Sequence, residues 1–114
     1  ENLMALVVFR SKAAGEIFMF AETARRIFEI LGRPESERGV LTADQVPDAL
    51  HRLEAAVEQE KAQLKAAVEQ ADRADKQGDE SSQPRAITLA QRAYPLLEML
   101  RAAEKKRVDI TWGI

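Results

Sequence analysis

VDITWGI, residues 108–114, sets the terms of the fold. Val108, Ile110, Trp112 and Ile114 alternate with Asp109, Thr111 and Gly113, the period-two signature of a strand with one apolar face. Such a strand needs a neighbour to satisfy its backbone, and MALVVFR, residues 4–10, offers one. This second stretch is apolar on both pleat faces, Leu6 and Val8 to one side, Val7 and Phe9 to the other. A strand of that kind is normally covered on both sides.

Three helices are expected between these strands. Over 12–31, Ile17, Phe20, Ala24, Ile27 or Phe28, and Leu31 recur at steps of three or four, with Ser11 as N-cap. Gly32 suits the left-handed position after the last turn, and Pro34 is a stop. Residues 33–41 read as a connector. TADQ, residues 42–45, is a capping box, and Pro47 starts the main part of a second helix whose spine is Val46, Leu50, Leu53, Val57, Leu64 and Val68. Glu60 stands where that spine should be apolar. Beyond Val68 the apolar face runs out, so the end of this helix is expected to protrude or melt, and 78–85 to form a mobile loop. Thr88 and Gln91 form another T-x-x-Q box, opening a third helix over 88–106 with Pro95 as an internal kink.

The expected fold class is α+β, with the order strand, helix, helix, helix, strand in one domain over residues 4–114. Residues 1–3 are read as a tag remnant. If successive elements alternate in direction, the terminal strands lie parallel with the helices on one face. A two-stranded sheet is marginal alone, and helices screen only one of its faces. The remedy expected is a homodimer through the terminal strands, with Val7, Phe9, Trp112 and Ile114 at the interface.

Composition narrows the function classes. The chain has 114 residues, 46% of them apolar and 32% charged, enough for one globular core. A net charge of −2 lacks the basic excess of a nucleic-acid binder. No apolar run approaches the ~20 residues that span a bilayer, so neither nucleic acid nor membrane is an expected partner. Zero cysteines exclude disulfides and thiol chemistry and are compatible with a cytoplasmic location.

Little in the sequence points to catalysis. His51, the single histidine, lies near Asp48, Glu54 and Glu58 on one helical face, and this is read as a solvated, charge-paired surface rather than a metal site. Glycine-rich phosphate loops and nucleophile elbows are absent. Arg25, Arg26, Arg33 and Arg38 are interleaved with Glu22, Glu29, Glu35 and Glu37, which reads as neutral surface. No catalytic residue, cofactor or metal site is therefore assigned. The expected role is a small non-enzymatic interaction or regulatory protein. The alternative is a small-ligand binder or minor enzyme, with a pocket near the Pro95 kink lined by Arg25, Gln91 and Tyr94.

Three stretches together carry a family resemblance: VVFRSKAAGEIFMFAETARRIFEILGR, RGVLTADQVPDALHRLEAA and LAQRAYPLLEMLRAAEKKRVDITWGI. The chain resembles the small bacterial family known as domain of unknown function 1840, over nearly its whole length from Met4 and least over 58–84. The resemblance implies a short bacterial protein. It brings no activity, cofactor or catalytic residue to this sequence.

Overall fold

Ser11 to Gly15 is where the chain departs from the helix expected over 12–31. In the computed structural model, which describes residues 5–33, 38–74 and 88–113, the first strand β1 (Leu6–Ser11) turns back at once into a second strand, β2 (Gly15–Phe20). The turn is closed by the Ala14 N–H donating to the Ser11 carbonyl at 3.2 Å. The Ser11 Oγ accepts from the Ala13 N–H at 3.2 Å. Gly15 then takes φ +76°, the left-handed residue that follows the turn in three-residue hairpin loops. Ser11 is thus a turn residue, not a helix cap.

The helical reading failed because Ile17, Phe18, Met19 and Phe20 are all apolar, and an unbroken apolar run fits either period. In the structure Ile17 and Met19 point inward and Phe18 and Phe20 outward. The ladder continues until the Ala21 N–H donates to the Ala5 carbonyl at 2.8 Å. Helix α1 (Ala21–Leu31) then begins at Phe20, an N-cap without a side-chain capping bond. It ends as expected, with Gly32 at φ 71° and its N–H, with that of Arg33, satisfying the last carbonyls.

The connector holds a short strand, β3 (Gly39–Leu41). Helix α2 (Val46–Ala74) follows, opened by the Gln45 side chain accepting from the Thr42 N–H at 3.0 Å. Pro47 falls in its first turn, where a missing donor costs nothing. Val46, Ala49, Leu50, Leu53 and Val57 are buried. From 58 to 70 only Glu60 and Leu64 are even half-buried, so this end of α2 projects from the core. The loop expected at 78–85 lies outside the described residues. Helix α3 (Leu89–Lys106) carries the full capping box of Thr88 and Gln91 and encloses Pro95. The chain closes with β4 (Ile110–Trp112).

The class is α+β: among the described residues there are three helices, with strands near both ends. Their sheet has four described strands in the order β2-β1-β4-β3, and every pairing among them is antiparallel. The terminal strands do meet, Phe9 opposite Trp112, but antiparallel instead of parallel. Two strands absent from the sequence reading, β2 and β3, lie between them, and strict alternation breaks across α1: β2 and β3 run in opposite directions, which sets β4 against β1.

Inside the sheet the core is aromatic at its centre. Phe28 of α1 stacks 4.9 Å from Trp112 and 6.0 Å from Phe9, ring centre to ring centre. Around them pack Ile27, Leu41, Leu53, Leu96, Leu100 and Ile110, all buried.

Candidate functional site: the open face of the sheet

An antiparallel sheet sorts its residues by pleat. Here Phe9 and Trp112 face the helices and are 1% and 2% exposed. Val7 is half-buried on the same side. Phe9 and Trp112 belong to the core and Val7 packs against it, all on the helix side of the sheet, while Ile114 lies outside the described residues. Since β1 is apolar on both pleats, its sequence alone does not say which one faces the helices.

The opposite pleat is open, and the hairpin register arranges it in rows. Leu6 pairs with Phe20, Val8 with Phe18, and Arg10 with Glu16. Leu6 is 56% exposed, Phe18 59% and Phe20 49%; Val8 is half-buried between them. Two greasy rows are followed by one charged row, in which the Arg10 Nε donates to the Glu16 carboxylate. Thr111 lies beside Arg10, and exposed Val40 beside Thr111. Scattered exposed apolar residues are ordinary; here Leu6, Phe18 and Phe20 are adjacent on one face of the sheet.

The other sequence candidates do not gather into one cavity. Arg25 lines a shallow groove of about 410 Å³ between α1 and α3, together with Thr23 and Arg92. Gln91 is committed to the α3 cap, its Oε1 accepting from the Thr88 N–H at 3.0 Å. It also borders a groove of about 540 Å³ that carries the open face around the edge of β2, past Leu6, Phe18 and Phe20. Tyr94 is exposed beside Leu97 and Arg101, in a third groove of about 470 Å³. There, hydrogen bonds from Arg101 to Glu98 at 2.6 Å and to Glu54 at 3.1 Å hold its guanidinium charged and push its pKa up. These contacts are exposed, and the one with Glu54 links α3 to α2. Among the described residues no three His, Cys, Asp or Glu side chains are grouped to hold a metal ion. Likewise, no helix there is long and apolar enough to cross a membrane.

Sequence reasoning misses Glu16, Phe18 and Phe20 as surface residues of the sheet because it places them in a helix over 12–31, and with them the strand that gives Arg10 its partner. The available signal was local: a glycine at 15 followed by Glu16, Ile17, Phe18 and Met19, whose polar-to-apolar start also fits a strand leaving a turn.

Comparison with curated proteins and with solved structures finds no match. A family model described as a domain of unknown function (DUF1840) does match, over residues 5–112. The match runs from the residue before β1 through the last residue of β4 and so takes in every element of the fold, and the chain belongs to that family.

Proposed function

We propose that this is a small non-enzymatic interaction or regulatory protein of the cytoplasm that works as a homodimer, assembled through the sheet its terminal strands build. The observation that carries the reading is the pair of apolar rows, Leu6–Phe20 and Val8–Phe18, left open on the face away from the helices. Fully burying an exposed aromatic or aliphatic side chain contributes about 1.5–3 kcal/mol, and about half of that for side chains already half covered as these are; a second copy supplies the missing cover. The lack of cysteine fits a reducing compartment.

Sedimentation velocity from low to high micromolar concentration tests the reading. The expected result is a concentration-dependent dimer that Phe18→Asp converts to a folded monomer. A wild-type protein that stays monomeric throughout removes the proposal.

A further inference from the structure

We infer that the dimer is isologous and face to face, with its two-fold axis running along the β1–β2 hairpin, so that Arg10 of each copy meets Glu16 of the other. This rests on the dimer reading above and adds its geometry. For two copies to bring the same face together, the symmetry axis must lie in the plane between them. Two simple directions are available.

An axis across the strands, through the Val8–Phe18 row, lays each Leu6–Phe20 row on the partner's Arg10–Glu16 row. That strips water from the Arg10–Glu16 pair and returns only hydrocarbon, and moving the axis between the two apolar rows leaves the pair with no charged partner from the other copy. An axis along the strands, midway between β1 and β2, maps every row onto itself and exchanges the strands. Leu6 then faces a partner Phe20, Val8 a partner Phe18, and Arg10 a partner Glu16. The observed register gives apolar on apolar and cation on anion at all three rows. Tilting the axis by ~15° from the strands sets the two sheets at ~30°, the usual angle for aligned sheets. Stacked sheets lie ~10 Å apart, within reach of an arginine and a glutamate extended toward one another.

Arg10 and Glu16 already pair within one chain, with side chains 44% and 49% exposed. Dimerisation closes two such pairs into a ring of four alternating charges at the rim of the apolar patch. Rim charges of this kind decide orientation and partner choice more than affinity.

Charge reversal tests the axis. Arg10→Glu alone makes the ring wholly acidic, and Glu16→Arg alone makes it wholly basic. Each is expected to weaken self-association by about tenfold or more. Mixed in equal amounts, the two variants place two acids opposite two bases, and a heterodimer tighter than either homodimer is expected. The double variant Arg10→Glu/Glu16→Arg is expected to recover wild-type affinity, which also shows that the reversed side chains are compatible with folding. If the mixture associates no better than its components while Phe18→Asp still dissociates the wild-type dimer, the axis is wrong and self-association stands. A monomeric wild type overturns both.

Discussion

The Glu60 carboxylate accepts a hydrogen bond from the Leu89 backbone N–H at 2.8 Å, joining the middle of α2 to the first residue of α3. Its other oxygen lies 3.5 Å from Arg26 of α1, and the side chain is only 20% exposed. In the sequence Glu60 interrupts an apolar spine. In the structure it occupies that place because the Leu89 N–H, which the Thr88–Gln91 capping box does not satisfy, and an arginine both face it. A carboxylate there satisfies an orphan donor and meets the positive end of the α3 dipole. Glu60→Ala is expected to cost about 1–2 kcal/mol. Glu60→Gln keeps an acceptor and is expected to cost less than half of that. Urea denaturation of the three proteins, compared at equal slope, checks the order; a neutral Glu60→Ala would show the contact to be incidental.

Gly39 lies opposite Trp112 in the β3–β4 ladder. A Cβ built on Gly39 falls onto the Trp112 indole, closer than real atoms approach. The indole is itself pinned, with Phe28 4.9 Å away on one side and the Arg33 guanidinium 6.0 Å from its ring centre. Gly39→Ala must therefore move the ring or open the β3 edge. The expected cost is about 1–3 kcal/mol, as for other overpacked sites. Trp112 is the only tryptophan, so its emission is expected to shift to the red in the same variant. An unchanged spectrum together with unchanged stability would rule out the close packing.

These two contacts show where the sequence is legible and where it is silent. The start of α3 is legible because Thr88 and Gln91 carry their own instruction: each side chain bonds the other's backbone whatever the rest of the chain does. Gly32 is legible for the same local reason. Strand β2 is not, because Phe20 passes from strand to helix without a capping side chain. Strand β3 is three residues long, too short to display a period, and Gly39 is held there by the bulk of Trp112, 73 positions further along the chain. The candidate interface suffered most. It depends on which pleat of β1 faces the helices, and only the assembled core decides that.

Helix α2 carries a gradient of consequence along one face. Leu53 is fully buried, whereas Val68, further along the same spine, is 38% exposed. Leu53→Ala leaves a cavity against the packed core and is expected to cost about 2–5 kcal/mol. Val68→Ala removes less buried surface, so its expected cost is below about 0.5 kcal/mol. Thermal melts of both variants check the contrast. Comparable losses at the two sites would mean that the projecting end of α2 is covered in solution.

Arg107 is the C-cap of α3, with φ 59° and ψ 49°, and it is the one described non-glycine residue with positive φ. Its N–H and that of Val108 satisfy the Glu104 and Ala103 carbonyls at 3.3 and 3.1 Å, so the left-handed turn is what allows β4 to start three residues later. An L side chain held there costs roughly 1–2 kcal/mol. Glycine removes that cost but gives the unfolded chain more freedom, worth about 0.5–1 kcal/mol. The balance favours the variant, and Arg107→Gly is expected to stabilise the protein by about 0.5–1 kcal/mol. Arg107→Ala keeps the steric cost and is expected to gain nothing. Chemical denaturation of the pair isolates the backbone effect from the loss of a surface charge, since both variants lose the charge and only one relieves the turn.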